Sequence, residues 1–267
     1  MQKARLGVER IELDEATRGE YSLNTMRYVF ATRYANSGSI LDIACGTGYG
    51  ASMLSARSKF CVGADIDSDA IKRSKAACDN ERISFVQCDC HQLPFRRDAF
   101  ELVTSMETIE HLADPQRFLQ ELAGCVRGGG HVVISTPNRG YKAPWVRDIN
   151  PYHLHEWVPE EIESLAREAL GDIDMYFQWP SVKQRVLDNL MWTVRKSLRL
   201  MPRPIEALLL EMLRWAKLFV FRAAPKTNGS GLSSNGSFKV TEANGFNHAG
   251  VKRPQTIVIV ARKRPGG

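Results

Sequence analysis

Ile40-Leu41-Asp42-Ile43-Ala44-Cys45-Gly46-Thr47-Gly48-Tyr49-Gly50 runs from an apolar stretch through a glycine-rich turn and into a helical pattern. A strand that ends in this way delivers the backbone to the start of a helix, whose first N–H groups have no partner within the helix. The glycines let a ligand approach the chain closely. Taken alone, Gly-x-Gly fits dinucleotide, flavin and adenosylmethionine sites, and also a tight turn that holds no ligand.

Working outward, apolar runs at residues 39–44, 60–65, 83–87, 100–105 and 131–135 alternate with helical patterns at 49–57, 68–78 and 115–125. Each run is short and nearly all apolar, as a strand covered on both faces should be. The alternation predicts a parallel sheet with crossover helices. Ser68 and Asp114 are expected N-caps, and Pro115 suits a first helical turn. A further helix at 159–170 starts at Pro159 and stops at Gly171. Strands at 173–177 and 255–262 complete seven, the last built on Thr256-Ile257-Val258-Ile259-Val260.

Three acids mark the strand ends. Asp42 lies in the first strand, Asp65 ends the second and Asp89 follows the third. They converge on the crevice at the carboxyl ends of a switch point, where Asp65 can accept both hydroxyls of a ribose. A positively charged ligand with an adenosine group suits three carboxylates better than an anionic pyrophosphate does. Gly46-x-Gly48-x-Gly50 also departs from the G-x-G-x-x-G spacing of nicotinamide enzymes, so an oxidoreductase is disfavoured.

At these residues, from about Tyr21 to Asn138 and again near the end, the chain resembles the class I S-adenosylmethionine-dependent methyltransferase superfamily. The resemblance implies a Rossmann-like α/β fold. Its seven-stranded sheet has the order 3-2-1-4-5-7-6, with the last strand antiparallel and a helical insertion before it. It implies S-adenosyl-L-methionine as cofactor. Asp42, Gly46 and Gly48 would border the methionine part, Asp65 would hold the ribose, Ile66 would pack on adenine and Asp89 would bond its amino group. Met106, at the end of strand four, is counted with them. Gly128-Gly129-Gly130 stands at the turn before strand five, where the family often has Pro-Gly-Gly. The leader around Glu9-Arg10-Ile11 and residues 21–31, with Cys-Gly-Thr-Gly-Tyr-Gly and Glu-Thr-Ile-Glu-His, is similar to bacterial methyltransferases of surface-polysaccharide clusters.

The acceptor side is expected in Glu107-Thr108-Ile109-Glu110-His111, after strand four, and in Tyr152-His153-Leu154-His155-Glu156-Trp157, beyond strand five. A sugar hydroxyl is a poor nucleophile until its proton is removed, and a neutral histidine does that near neutral pH. His111, Glu107 and His153 are the catalytic candidates, and His155 is the weaker histidine. Glu107, Glu110, His111 and His153 also resemble the metal tetrad of small-RNA 3′-end 2′-O-methyltransferases, in which an ion acidifies the hydroxyl. A third alternative is that His111 only caps a loop. The expected function is O-methylation of a sugar in a nucleotide- or lipid-linked glycan or a related small metabolite. A quinone-type lipid precursor, an RNA 2′-hydroxyl and a catalytically inactive cofactor-binding scaffold stand as alternatives.

Composition fits a folded enzyme, with 43% apolar and 25% charged residues excluding a fibrous or disordered chain. The six cysteines show no CxxC or zinc spacing and read as reduced thiols. No signal-peptide core or membrane-spanning run is seen, so the expected location is the cytoplasm. Charge is uneven: from Ser181 onward 16 Lys or Arg face 4 Asp or Glu, a net of +12, and since the whole chain carries +6 the first 180 residues carry −6. Between Lys183 and Arg222 two amphipathic helices are expected, with Trp192 and Trp215, followed by a Gly/Ser/Asn-rich linker. They would form a substrate lid or a peripheral anchor on an anionic membrane at its inner face. Nucleic acid is disfavoured as a partner. The division expected is a leader at 1–38, the cofactor domain at 39–180 and 251–264, and the basic insertion at 181–250.

Overall fold

Short β-branched and apolar runs separated by capped helices give one eight-stranded sheet in the computed structural model, which describes residues 18–141, 150–178, 240–242 and 256–265. In chain order the elements are α1 (Arg18–Ala31), β1 (Ser39–Ile43), α2 (Tyr49–Ser55), β2 (Phe60–Asp65), α3 (Ser68–Ala77), β3 (Ile83–Gln87), β4 (Phe100–Met106), α4 (Pro115–Cys125), β5 (Val126–Pro137), α5 (Pro159–Leu170), β6 (Ile173–Gln178), β7 (Val240–Glu242) and β8 (Thr256–Arg262). The sheet order is β3-β2-β1-β4-β5-β8-β6-β7. Without the three-residue edge strand β7, this is the expected 3-2-1-4-5-7-6, with β8 as the seventh strand. β8 runs antiparallel to both β5 and β6, and β1 to β5 are mutually parallel.

Alternation along the strands divides the core into two layers, because successive side chains point to opposite faces. Leu41 and Ile43 pack with Phe118 and Leu122 of α4 and Ile162 of α5, whereas Ile40 packs with Tyr28 and Phe30 of α1, Leu54 of α2 and Ile71 of α3. Both faces of the sheet are therefore covered, which explains why its strands read as apolar runs rather than as alternating ones.

Two local expectations are corrected. The cap of α3 is Asp67 rather than Ser68, since its carboxylate accepts from the N–H groups of Asp69 and Ala70. Aspartate and serine are comparable caps, and here the helix already includes Ser68, which leaves Asp67 in extended backbone at the cap position. The glycine run before strand five is not a separate turn. It lies inside β5, where pairing to β4 shifts register between Phe100 and Leu102 and Gly129 takes a positive φ. Asp114 caps α4 through the Arg117 N–H, as expected. β7 falls within residues 181–250, where no strand is anticipated. The chain divides into two compact units, residues 1–10, 24–179 and 239–267, and residues 11–23 and 180–238. The helices expected from Lys183 to Arg222 and the linker after them lie outside the described residues.

Candidate active site

The glycine loop after β1 is made by left-handed backbone at three nearby positions, Ala44 (φ 55°), Gly46 (54°) and Gly48 (77°). A Cβ at Gly48 would lie 2.7 Å from the Phe85 ring, so the loop's contact with β3 requires glycine. A Cβ at Gly46 would meet nothing within 4 Å, so this residue presents open backbone to whatever lies above the strand ends. Gly48 caps α2, so the loop runs straight into the start of that helix.

Asp65 ties the loop to β2. Its Oδ2 accepts from the Gly46 N–H at 2.8 Å and its Oδ1 from the Asp67 N–H at 2.9 Å. A carboxylate has about four lone-pair sites, so two backbone bonds still leave capacity for ribose hydroxyls. Ile66 is 60% exposed beside it, one of three large apolar side chains so exposed among the described residues. Asp89 accepts from both the backbone N–H and the Nδ1 of His91 at 2.8 and 3.0 Å. Those bonds, the backbone one first, hold its carboxyl below the usual range, so it is ionised. Two carboxylates flanking an exposed aliphatic surface fit the ribose and adenine of S-adenosyl-L-methionine. Asp42 lies underneath and is fully buried, accepting from Thr104 Oγ1 at 2.7 Å and from the Tyr28 hydroxyl at 3.2 and 3.3 Å. Burial pushes its carboxyl up to about 7, against the opposing bonds from Thr104 and Tyr28. Met106 is buried at the end of β4.

The acceptor side begins one residue later. Glu107 is a non-glycine residue at φ 55°, an uncommon conformation that surrounding bonds must hold. Its N–H donates to the Ser135 carbonyl at 3.0 Å, its Oε1 accepts from Ser135 Oγ at 2.9 Å, and Arg27 pairs with the same oxygen at 3.3 Å. Glu107 is thus committed to neighbours. The following 3-10 turn, Ile109–His111, turns Glu110 inward. Glu110 Oε2 accepts from Thr136 Oγ1 at 2.9 Å, and its Oε1 is buried without a hydrogen-bond partner, 3.9 Å from His111 Nε2. Burial first, and the charge of Glu107 second, raise this carboxyl well above the usual range.

His111 Nδ1 lies 2.9 Å from the Tyr152 carbonyl. A carbonyl only accepts, so Nδ1 carries the proton and Nε2 is the basic nitrogen. The Tyr152 segment is itself pinned, since the N–H groups of Leu154 and His155 both donate to the Glu110 carbonyl at 2.8 and 3.1 Å. His153 packs edge-on against His111 with ring centres 4.9 Å apart, between Asn150 and Glu156. One ligand atom from each of Glu110, His111 and His153 falls within 4.8 Å of the others, and Glu107 is not in that group. His155 turns away, against Trp157 and Glu161.

Residues that sequence reasoning missed come from the helix above. Asn24, Arg27, Tyr28 and Ala31 share one buried face of α1 at helical spacing. Arg27 bonds Asn24 Oδ1, Gln178 Oε1 at 2.7 Å and Thr256 Oγ1 at 3.2 Å. A signal was present: Asn24 and Arg27 fall in register with Tyr28 and Ala31, and a polar residue in an apolar stripe asks for a partner.

Comparison with known proteins agrees with this geometry. Residues 41–134 match the family model described as a methyltransferase domain. A probable S-adenosylmethionine-dependent methyltransferase of Mycobacterium tuberculosis is 33% identical over 138 residues, covering 51% of this chain and 49% of the relative. A ubiquinone biosynthesis O-methyltransferase of Coxiella burnetii is 31% identical over 130 residues, covering 48% of this chain and 56% of that one. The chain spans about half the length of these curated relatives. Among solved structures, Haemonchus contortus phosphoethanolamine N-methyltransferase 2 in complex with S-adenosyl-L-methionine superposes with a TM-score of 0.58 at 16% identity, over 90% of this chain and 52% of that one. This likeness speaks for the fold. Residues 41–134 thus match a methyltransferase domain, and the sheet order, the glycine loop and the flanking acids agree with that match.

Proposed function

We propose that the protein is an O-methyltransferase acting on a sugar of a nucleotide- or lipid-linked glycan or a related small metabolite, with His111 as general base. The observation that carries this reading is the fixed imidazole. Nδ1 is bound to the Tyr152 carbonyl, which leaves Nε2 basic on the 3-10 turn that follows β4. S-adenosyl-L-methionine, when bound, supplies an electrophilic methyl group on its sulfonium. The loop at Gly46 and the carboxylates of Asp65 and Asp89 would hold it, the acceptor oxygen would take the methyl as the carbon–sulfur bond breaks and adenosylhomocysteine leaves, and positioning of that oxygen would do much of the work. His111 Nε2 takes the hydroxyl proton as the oxygen attacks. Tyr152 and Leu154, 47% and 64% exposed, flank His153 and offer an apolar surface to one face of a sugar ring. Quantitative turnover of His111→Ala on an identified acceptor, beside its affinity for adenosylhomocysteine, tests the base.

A second reading is favoured by one observation. The unpartnered, buried Oε1 of Glu110 faces His111, and with His153 the three could hold a divalent cation that acidifies the hydroxyl. In this version Glu107 supports the site through Arg27 and Ser135 and is not a ligand. Chelator followed by Mg²⁺ or Mn²⁺ decides between the two, because full activity after chelation excludes the ion.

The basic segment from Lys183 to Arg222 is proposed to rest on an anionic membrane surface, on the strength of its charge and amphipathic pattern. Among the described residues no helix is long and apolar enough to cross a membrane. Flotation with anionic vesicles at low salt tests the association, and a freely sedimenting protein would contradict it.

A further inference from the structure

We infer that Arg27 is a positioning residue of the acceptor site, acting through Glu107 on the turn that presents Glu110 and His111. The inference rests on the reading above that this turn is the catalytic one.

Arg27 is almost wholly buried, and its guanidinium joins four separate pieces of the chain. It reaches Asn24 within α1, Gln178 at the end of β6, Thr256 at the start of β8 and Glu107 after β4. If Arg27 served only to fasten α1 to the sheet, an apolar side chain would do as well. Burying a charge is costly, and well-packed apolar replacements of buried ion pairs are often neutral or stabilising. The charge instead meets the carboxylate of Glu107, which has positive φ and forms the pivot between β4 and the 3-10 turn. Two anchors fix that pivot. Ser135 holds both its amide and its carboxylate, and Arg27 holds the carboxylate from the other side.

The pivot matters because the turn and the segment from Tyr152 to His155 hold each other. Leu154 and His155 donate to the Glu110 carbonyl, and this segment in turn supplies the Tyr152 carbonyl that orients His111. Freeing Glu107 would let the turn relax from its left-handed start, moving Glu110 and with it the acceptor that fixes His111. Arg27 touches none of Gly46, Asp65 or Asp89 in its bonds, so cofactor binding should not depend on it.

The test uses the full chain carrying labelled histidine rings. The wild type should show an exchange-protected Nδ1–H resonance from His111, held by the Tyr152 carbonyl. Arg27→Gln should lose that resonance while His131 on β5 is unchanged and adenosylhomocysteine affinity stays within about two-fold, the limit for independent sites. Arg27→Lys, which keeps the charge and loses the fork, should weaken the resonance in part. The double variant Arg27→Gln/Glu107→Gln should regain it, since neither charge is then buried alone. If Arg27→Gln does not fold, the lysine and double variants carry the comparison. An unchanged His111 resonance in Arg27→Gln or in Arg27→Lys overturns the inference, as does its loss together with the His131 signals and adenosylhomocysteine affinity. Absence of adenosylhomocysteine binding in the wild type would instead strike the methyltransferase reading, and the ring resonance would still decide the role of Arg27.

Discussion

The two ends of the strand crevice are built in different ways. On the candidate cofactor side, Asp65 and Asp89 lie at or just beyond the ends of their strands, and the hydrogen-bond donors to their carboxylates lie within 19 positions. Asp65 bonds Gly46 and Asp67, and Asp89 bonds His91. On the acceptor side, the groups are held by partners far away: Arg27 reaches Gln178 across 151 positions and Thr256 across 229, and His111 reaches Tyr152 across 41. The first half is a local device that any strand–turn–helix can carry. The second exists only once the whole sheet has closed. Substitutions on the two sides should therefore separate binding from chemistry.

The largest separation is expected at His111. His111→Ala should reduce turnover by about 10²–10⁴-fold, the usual contribution of a positioned general base, with adenosylhomocysteine affinity retained. Loss of affinity in parallel would erase the distinction between the two sides. At Gly48, a Cβ would meet Phe85 at 2.7 Å and impose a left-handed φ on an L-residue. Gly48→Ala should cost about 1–3 kcal/mol of stability in denaturant unfolding and weaken cofactor binding as well. A variant as stable as the wild type would show that the loop gives way more easily than its packing implies.

This contrast also sets how much could be read from the chain alone. The glycine loop, the acids at 42, 65 and 89, and seven strands were legible because each depends on a short window and on burial of both sheet faces. The Asp67 cap was missed by one position, since serine and aspartate compete closely for that role. His111 and His153 could be singled out as histidines beside acids, but not their tautomers, which depend on Tyr152, Asn150 and Glu156. Glu107 read as a catalytic group, and its commitment to Arg27 and Ser135 is a tertiary fact. Neither Gln178 nor Thr256 carries any local mark of the arginine it meets.

Smaller effects sharpen the cofactor half. Stability should fall as pH rises because of Asp42. Its carboxyl, raised to about 7 by burial, binds its proton more tightly in the folded chain than in the unfolded one. The stabilisation is complete below the unfolded value near pH 4 and is lost as pH passes through about 7, at roughly 1.4 kcal/mol per unit of difference. Asp42→Asn should flatten that slope in unfolding curves taken at pH 5 and pH 8, and an unaltered slope would place the titration elsewhere. Adenosylhomocysteine affinity should drop with Asp65→Ala by about 1–3 kcal/mol, the worth of hydrogen bonds to a charged group, while the fold survives.

Calorimetric titration of the intact protein with adenosylhomocysteine and, separately, with NAD tests the central claim most directly. The structure predicts a saturable, one-site isotherm with adenosylhomocysteine that weakens in Asp65→Ala, and none with NAD. Binding of NAD, or adenosylhomocysteine affinity indifferent to Asp65, would contradict the assignment of the crevice.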